Sequence, residues 1–592
     1  MNYKLLFITI ICYLNSQKVS SSNEREGYDD TTVFDFEDDL DGIPYNFSAE
    51  VLSHNTATFT NFLKYNASYS SLFFSDKTFH FYPGIYGANI TDLEITINGT
   101  IRFHRPPETL TNHYNRPEPG IFIEDSDGIF INSPVDKDED GSIDHDYGFK
   151  KRGVIDGHGA DYWGVPFIGY VELIEFRPDL FAMNRTSNVN IEYIIFRDAG
   201  LYTLHLVDVN NLEISYSSVM ARRTNYDGHS YLDLSAFNTD GIDVSGNDIY
   251  IHDVDIWNQD DCIAVKDSFI GESTNMLFER ITASGLGLTI GSIGATTVRN
   301  ITFRDSLMYK TYKGIYMKFR HDVMRDGNGL VENILFENIT IYKPEQYGIW
   351  IGPAQQAISA NPCHASPCSL CWPVVPFTVC DGIAESQYKN ITLKDIYIYD
   401  PEGTPGVILA DANMPIENIT FDNVVVKFNE VPEGLANADA STLFYGFNEP
   451  IQDQFMHPAL TWLYLFSFAC LVAGILGGTG YGFIKLVSSR RANSSGDEDK
   501  SEPLLDKTRA VDSNNTPAQG SATFSKISLI LAATCVIIAA VVQRIFKVSE
   551  QTYDQSGYFV CEGVVNGVAT GKTYPVPSCF TDETTSNFTA TS

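Results

Sequence analysis

A short pattern of alternating apolar and polar residues recurs along the middle of the chain. Each copy opens with asparagine, as in NITFRDSLM at 300–308, and the copies begin at 188, 211, 247, 275, 300, 333, 390 and 418. The steps between these asparagines are 23, 36, 28, 25, 33, 57 and 28 residues. The alternation predicts short strands, and turn residues rather than helical periodicity separate them.

Strands at this spacing predict an all-β solenoid, because one small unit cannot bury its own apolar face and must stack on its neighbours. We expect a right-handed parallel β-helix over residues 70–430. A β-propeller is the alternative, but the units lack four strands each. Successive coils of a β-helix lie about 4.8 Å apart, so the leading asparagines would form a hydrogen-bonded ladder. Residues one period apart in sequence would likewise become neighbours in space.

The beginning of the chain predicts export. Residues 1–22 combine Lys4, an apolar run and small polar residues, which is typical of a signal peptide, with a membrane anchor as the alternative. Residues 23–69 are predicted to form an acidic N-terminal segment, and the acidic leader at 24–42 is interpreted as solvated. Ten N-x-[ST] sequons support a secretory route: Asn46, Asn66, Asn89, Asn98, Asn184, Asn300, Asn338, Asn390, Asn418 and Asn587.

Two apolar runs near the other end predict C-terminal transmembrane helices after the β-helix. The first has no charged residue, is long enough to span a bilayer and is followed by basic residues. The second is shorter, and an interfacial helix is its alternative. The predicted segments are a juxtamembrane linker (431–458), a span (459–484), a disordered cytoplasmic loop (485–526), a second span (527–546) and a tail that returns outside (547–592).

Charge and cysteines narrow the class of protein further. The formal net charge of −35 argues against a nucleic-acid partner. Four cysteines cluster in one stretch, and zinc would be the expectation in a cytosolic protein, but disulfides are favoured in an exported one. These four are Cys363, Cys368, Cys371 and Cys380. Cys262 would then be left as an unpaired core residue.

Three carboxylates stand out because two of them are adjacent beside an apolar strand. Asp260 and Asp261 precede the buried run CIAV, and Asp240 lies about one coil earlier. The solenoid should bring all three together, where their mutual repulsion would separate their pKa values. Hydrolysis of a glycosidic bond requires such a set, with one acid protonated and others ionised. A cation site or a set of turn caps is the alternative interpretation.

The same region resembles family 28 glycoside hydrolases, the polygalacturonases, whose pattern runs N-T-D, D-D, G-H-G and R-I-K. The matching stretches here are Asn238-Thr239-Asp240, Gln259-Asp260-Asp261, SGLGLTIGSIG (284–294) and KGIYMKFR (313–320), with GVIDGHGADYW (153–163) upstream. The resemblance covers roughly 70–430. It implies an inverting hydrolase in which Asp260 is the general acid and Asp240 and Asp261 activate water.

The resemblance also implies substrate-binding residues and marks two departures. Lys318 matches the lysine that binds a substrate carboxylate, and Asn238 belongs to the same site. Leu286 stands where the family has histidine, and Tyr316 stands where it has arginine. Leucine cannot hydrogen-bond, whereas tyrosine could stack on a sugar. These departures affect the choice of polymer more than the reaction, because all three carboxylates remain. Arg222, Lys266 and Arg320 are candidates for replacement charge, with a solvated surface role as the alternative for each.

A calcium loop is a further hypothesis, and it would be structural rather than catalytic. Alternate acids followed by glycine resemble an EF-hand loop, although Tyr147 stands at the twelfth position. Its ligands would be Asp136, Asp138, Asp140 and Asp144. No cofactor is expected for catalysis. His158 and His205 are interpreted as structural histidines.

Together these features predict a monomeric, membrane-anchored, extracellular or lumenal glycosidase that cleaves α-1,4-galacturonosyl bonds of pectin-like polysaccharides. One alternative is a catalytically inactive β-helix that binds polysaccharide at the cell surface, which the two departures favour. A binding module has little reason to keep three repelling carboxylates. The other alternative is a lyase on the same fold, and the N-T-D and D-D motifs speak against it.

Overall fold

The computed structural model describes the greater part of the first 448 residues and one strand near the C-terminus. The described ranges are 32–107, 117–135, 153–163, 176–223, 226–229, 236–320, 328–354, 368–369, 380, 382–403, 405–411, 413–448 and 557–567. Within them the chain forms 26 strands in one continuous sheet system. The strands are β1 (Thr32–Asp35), β2 (Ser70–Phe74), β3 (Thr78–Phe81), β4 (Ile85–Ala88), β5 (Thr91–Ile97), β6 (Thr100–Phe103), β7 (Ile121–Glu124), β8 (Asp127–Asn132), β9 (Gly153–Asp156), β10 (Phe181–Asn184), β11 (Ser187–Glu192), β12 (Ile194–Arg197), β13 (Leu204–Ser215), β14 (Ser218–Met220), β15 (Ile242–Trp257), β16 (Ile263–Val265), β17 (Ser273–Ser284), β18 (Leu288–Ile293), β19 (Thr297–Tyr309), β20 (Lys313–Phe319), β21 (Leu330–Tyr342), β22 (Tyr347–Pro353), β23 (Gln387–Tyr399), β24 (Gly406–Ile408), β25 (Ile416–Phe428) and β26 (Gly557–Gly567).

Parallel pairing between strands of successive coils confirms the β-helix. One ladder runs β1, β2, β5, β8, β11, β13, β15, β17, β19, β21, β23 and β25. A second runs β4, β7, β10, β13, β15, β16, β18, β20, β22 and β24. A third runs β3, β6, β9, β12, β14 and β15. The strand alternation turns one apolar set inward, and residues such as Phe278, Phe303 and Phe336 stack along the interior with centroids 4.4 and 4.9 Å apart.

The asparagine ladder is also confirmed. Each side-chain amide donates to the residue one coil earlier, for example Asn300 Nδ2 to Asn275 Oδ1 at 3.3 Å and Asn390 Nδ2 to Asn333 Oδ1 at 3.1 Å. The ladder residues adopt a left-handed conformation, which asparagine and aspartate tolerate better than other side chains. In the third repeat the prediction was one residue early, because Asp248 rather than Asn247 accepts from Asn275.

The predicted start of the domain at residue 70 is too late. Strand β1 pairs with β2, and helix α1 (Ala49–Tyr65) packs Phe59 and Phe62 into the same core. The helix begins at Ser48, whose hydroxyl accepts from the amide of Val51. Residues 32–65 therefore belong to the first coils rather than to a solvated acidic segment. The prediction was based on acidic composition and therefore missed an amphipathic helix that packs on the core at this end of the solenoid.

The predicted linker at 431–458 is likewise packed in part. Helix α2 (Ala440–Leu443) and a 3₁₀ turn (Tyr445–Asn448) lie against the outside of the coils. Phe444 and Phe447 contact Trp257 with ring centroids 5.1 and 4.9 Å apart. Arg222 donates to the carbonyl of Phe447 and lies over its ring, so this predicted replacement charge holds the C-terminal segment in place.

The far end of the solenoid is paired by a strand from the C-terminal tail. Strand β26 runs antiparallel to β25, so the last described coil does not end in an unpaired edge. The two predicted membrane spans, the signal peptide and the calcium loop lie outside the described residues. Among the helices that are described, none is long and apolar enough to cross a membrane.

Candidate active site

Strand register brings the three predicted aspartates together. Ile242 of β15 pairs with Ile263 of β16, and the amide of Gly241 donates to the carbonyl of Asp261 at 2.8 Å. Asp240 and Asp261 therefore occupy equivalent positions on successive coils, with Asp260 beside them. Carboxylate oxygens of the three residues lie within 4.8 Å of one another, and their side chains are buried. The expected juxtaposition is confirmed.

A fourth buried carboxylate, Asp243, was not predicted. It points outward from β15 between the core residues Ile242 and Val244, in the same coil as Asp240. Its Oδ2 lies 3.2 Å from the ammonium of Lys266. The signal in the sequence was an acid at an outward position of the strand that follows the N-T-D motif.

Two lysines offset the charge of this acid cluster, which comprises Asp240, Asp243, Asp260 and Asp261. Lys318 Nζ lies 2.8 and 3.0 Å from the two oxygens of Asp261. Lys266 Nζ lies 3.4 Å from Asp240 and 3.7 Å from Asp261. Lys266, a candidate for replacement charge toward the substrate, contacts these carboxylates of the protein, so that role stays a prediction. Lys318, expected to bind a substrate carboxylate, is engaged with a carboxylate of the protein itself.

The side chain of Lys318 crosses the intervening coil in close contact with Gly291. Gly291 of β18 has φ +129°, and a Cβ there would lie 2.7 Å from Cγ of Lys318 and 2.3 Å from its carbonyl oxygen. Only glycine accommodates both the backbone conformation and this approach. Glycine at 291 therefore lets the ammonium of β20 reach Asp261, two coils earlier.

Burial dominates the protonation of the cluster. It raises the pKa of Asp240 and Asp260 well above the usual range, and the neighbouring carboxylates raise both further. Burial also raises the pKa of Asp243 to about 6, although Lys266 opposes that shift. For Lys318, burial lowers the pKa, but the facing carboxylate of Asp261 outweighs it and the net shift is upward. The site therefore stabilises protonated carboxyls beside charged lysines.

Hydrogen bonds fix the orientation of the two adjacent aspartates. Asp260 accepts from the amide of Asn238 at 3.2 Å and from the amide of Asp261 at 2.8 Å. Thr289 donates its hydroxyl to Asp261 at 3.1 Å. Asn258 donates to the carbonyls of Thr239 and Asp261 at 2.9 and 2.7 Å, which ties the two motifs together. Asn238 acts here through its backbone amide.

Leu286 and Tyr316, the two departures, are both buried. Leu286 follows Asp261 by one coil, and its amide donates to the carbonyl of Asp260 at 2.6 Å. Its side chain is 3% exposed and offers no hydrogen bond to the acids. Tyr316 donates its hydroxyl to Ser369 at 2.7 Å and is 2% exposed. Its ring faces Lys318 and protein atoms, so the predicted stacking on a sugar finds no open surface in this structure.

Two further polar residues near the site were missed from the sequence. Lys313 is fully buried, its ammonium lies 2.5 Å from Oε1 of Gln346, and burial lowers its pKa to about 7. His229 stacks on Trp257 and lies 2.7 Å from the hydroxyl of Ser284. Lys313 opens the stretch KGIYMKFR, but only its pairing with Tyr347 and its burial distinguish it. His229 belongs to no motif and lies outside the strands, so only the tertiary structure identifies it.

The remaining predicted residues fall into structural contacts or outside the described chain. His158 pairs with Asp161 at 3.0 Å, and His205 pairs with Asp179 at 2.9 Å. Arg320 pairs with Asp267 at 2.8 Å. Cys368 and Cys380 form a disulfide, and Cys262 is free and buried. The calcium ligands Asp136, Asp138, Asp140 and Asp144, together with Cys363 and Cys371, lie outside the described residues.

The acid cluster could also hold a cation, since its three predicted aspartates offer oxygens within 4.8 Å of one another. Hard cations prefer such oxygen ligands. Here the ammonium groups of Lys266 and Lys318 already contact oxygens of Asp240 and Asp261. The two lysines would therefore compete with a cation for two of the three carboxylates.

Comparison with known proteins places this site within a match to a family model. The model described as glycosyl hydrolases family 28 matches residues 142–441, half of the chain. Endopolygalacturonase A of Aspergillus niger is 32% identical over 204 residues, which cover 33% of this chain and 50% of the relative. Rhamnogalacturonase B of the same organism is 25% identical over 285 residues, covering 47% and 43%.

The chain spans half or less of the length of these two relatives. Among solved structures, an endo-xylogalacturonan hydrolase from Aspergillus tubingensis aligns with a TM-score of 0.46 and 18% identity. That alignment covers 67% of this chain and 93% of the other.

Proposed function

The chain belongs to glycosyl hydrolases family 28, and from this premise we propose that it hydrolyses α-1,4-galacturonosyl bonds of a pectin-like polysaccharide by inverting acid and base catalysis. The observation that carries the proposal is the buried acid cluster, in which Asp240, Asp260 and Asp261 meet within 4.8 Å. Of the two lysines beside it, Lys318 is held by Asp261, whereas Lys266, which is 26% exposed, is the proposed contact for the charge of a polyanionic substrate.

Asp260 is the proposed general acid. Burial, and then the charge of Asp240 and Asp261, raises its pKa, which favours the protonated carboxyl that a general acid needs. It would transfer this proton to the glycosidic oxygen as the bond from C1 to that oxygen breaks. The leaving sugar then departs as an alcohol and Asp260 becomes a carboxylate.

Asp240 and Asp261 are proposed to hold and activate the attacking water together. The Oδ1 atom of Asp240 has no hydrogen-bond partner within the described part of the chain, so it is able to bond to that water. As the water oxygen bonds to C1, its proton would pass to Asp261, the member of the pair that is ion-paired with Lys318 and lies 3.7 Å from Lys266.

The distance between the two catalytic carboxylates usually distinguishes inverting from retaining glycosidases. Inverting pairs usually lie about 6.5–9.5 Å apart and retaining pairs about 5–5.5 Å. The closest oxygens here lie within 4.8 Å. Inversion is therefore proposed from the family resemblance, and the anomer first released is the measurement that tests it.

The proposed function is tested on the full-length chain in detergent with polygalacturonic acid and rhamnogalacturonan. We expect new reducing ends, an inverted first product and loss of both in an Asp260→Asn variant. Asp76→Asn, an exposed loop substitution, is the matched control. Unsaturated products absorbing in the ultraviolet would indicate a lyase. Binding without any product would favour the inactive polysaccharide-binding alternative, for which buried Leu286 and Tyr316 would be the explanation.

We also propose that the catalytic domain is anchored on the outer or lumenal side of a membrane by a hairpin of the two apolar runs, 459–484 and 527–546. The pairing of β26 with β25 supports this arrangement. Two strands in one ladder lie on the same side of a membrane, so the intervening chain must cross an even number of times. Epitope tags test this: a C-terminal tag should be accessible on intact cells, and a tag within 485–526 only after permeabilisation.

A further inference from the structure

His205 faces outward beside Asp243 of the acid cluster, one coil earlier. The two residues are register partners on β13 and β15, and successive coils lie about 4.8 Å apart. His205 stands between the core residues Leu204 and Leu206, so its side chain points away from the core, and it is 31% exposed. The histidine therefore presents an accessible ring next to the acids.

Asp179 holds the ring of His205 in one orientation. Its Oδ2 lies 2.9 Å from Nδ1 of the histidine. Its Oδ1 is buried and has no hydrogen-bond partner among the described residues, so the histidine is the hydrogen-bonding contact of this carboxylate there. Because Nδ1 is occupied, Nε2 is the ring nitrogen left for a ligand. In the protonated ring Nε2 is a donor, which suits an anionic ligand.

Lys266 brings a second basic group to the same place. His205 meets the ring of Tyr202 edge-on, with centroids 5.3 Å apart, and the ammonium of Lys266 lies 6.0 Å from the centroid of the same ring. The ammonium also lies 3.2 Å from Asp243, the register partner of His205. The side chain of Lys266 is 26% exposed. His205 and Lys266 are therefore two accessible basic groups around one tyrosine.

The carboxylates around Lys266 do not cancel its charge at mildly acidic pH. Burial raises the pKa of Asp240 well above its usual range and that of Asp243 to about 6. Below that pH both are protonated, so they no longer neutralise the lysine. Its contact with Asp261, at 3.7 Å, is longer than the 2.8 Å contact of Lys318 with the same residue. Lys266 therefore retains positive charge for a ligand.

We propose that His205 and Lys266 together bind the carboxylate of one uronosyl residue of the polymer, beside the acid cluster. These two residues form the carboxylate site, and Asp179 is its positioning residue. The inference rests on the proposed function and assigns one chemical group of the substrate to named side chains. It gives that group a place away from Lys318, which Asp261 already holds.

Calorimetric titration of the full-length chain in detergent tests the carboxylate site without requiring catalysis. All proteins carry Asp260→Asn, so that the ligand is not cleaved. The ligands are a galacturonate trisaccharide and the same trisaccharide with its carboxyl groups reduced to alcohols. Hydrogen bonds to a charged group should make the chain bind the acidic ligand about tenfold more tightly than the reduced one.

Three variants divide this preference among the proposed residues. His205→Asn should remove most of it and leave the affinity for the reduced ligand unchanged. Lys266→Met should do the same, and the double variant should lose less than the product of the two factors, because both residues bind one group. Asp179→Asn keeps an acceptor for Nδ1 but removes the carboxylate charge, so it should lower the preference by a smaller factor.

His158→Asn is the matched control. His158 also pairs with an aspartate, Asp161, at 3.0 Å, and its side chain is 26% exposed. It follows β9 of the third ladder rather than lying beside the acid cluster. Its backbone is left-handed, with φ 49°, which asparagine tolerates. This variant should keep the full preference for the acidic ligand.

Each other result has a defined meaning. Equal loss of affinity for both ligands in His205→Asn would indicate a contact with a hydroxyl group and overturn the carboxylate assignment. An unchanged preference would make His205 the structural histidine that the sequence suggested, and would also overturn the inference. Failure to bind either ligand would overturn the inference together with the proposed substrate. The expected preference, without release of reducing ends by the unsubstituted chain, would contradict the hydrolase and leave the carboxylate site standing.

Discussion

The asparagine ladder and the acid cluster both stack polar side chains, but they differ in how those side chains are paired. In both, polar side chains recur on successive coils about 4.8 Å apart. An amide carries a donor and an acceptor, so Asn300 can donate to Asn275 while accepting from Asn333. Carboxylates only accept when ionised, so the aspartates of the cluster repel unless protons or the lysines intervene. The asparagine ladder, in which each amide has a partner, stabilises the fold. The acid cluster, in which neighbouring carboxylates repel, is suited to binding and releasing protons.

The largest effect should come from neutralising the proposed acid. Asp260→Asn removes a proton donor, and general acid catalysis contributes about 10²–10⁴-fold to rate. The same change removes a buried group whose pKa is raised on folding, so the free energy of unfolding should be unchanged or higher. Reducing-end release and thermal unfolding of the same samples measure both. Retained activity would show that the cluster is not the catalytic centre.

The next effect concerns the lysine that offsets the repulsion. Lys318→Met leaves Asp261 buried with only the more distant Lys266 as a counter-charge, and breaking a buried pair costs about 3–5 kcal/mol. Denaturant unfolding should show this loss. Adding Asp261→Asn should restore much of it.

The matched control for that experiment is Lys389→Met. Lys389 pairs with Glu417 at 3.3 Å, but both side chains are over 40% exposed. Such a surface pair contributes about 0–1 kcal/mol. Equal losses in the two variants would mean that the pair of Lys318 and Asp261 has no special electrostatic role.

A pH-dependent effect should follow from Asp243. Burial raises its pKa from 3.8 to about 6, so the folded state holds a proton that the unfolded state releases between these values. The contribution of this group to stability is complete below about pH 4 and is lost as pH rises through about 6. Asp243→Asn should therefore raise the melting temperature more at pH 7 than at pH 4. A gain that is equal at both values would contradict this assignment.

The smallest effect should arise in the ladder. Asn333→Asp keeps the acceptor for Asn390 but removes the donor to Asn300, at a cost of about 1 kcal/mol. Aspartate at 248 already terminates donation in the same way. A double-mutant cycle with Asn300→Asp measures the coupling. No coupling would mean that the ladder amides are satisfied by solvent alone.

The N-terminal helix was not predicted from the sequence. Residues 49–65 carry an apolar face, but the acidic residues before them suggested a solvated segment. Burial of Phe59 and Phe62 depends on a coil edge formed by distant strands. The same reason applies to Phe444 and Phe447, which pack on Trp257. Local composition cannot report a surface that only the assembled solenoid provides.

The sequence by itself determined the repeat, the asparagine ladder and the meeting of Asp240 with Asp260 and Asp261. Each follows from spacing, because a solenoid converts one period of sequence into one step in space. Only the tertiary structure decided that Asp243 joins the cluster, that Lys318 faces Asp261, and that Tyr316 lies beneath Ser369. Lys318 and Asp261 are two coils apart and Ser369 lies in an insertion, so distance in space no longer follows from distance along the chain. Asp243 is in the same coil as Asp240, and its part in the cluster depends on the outward direction of its side chain.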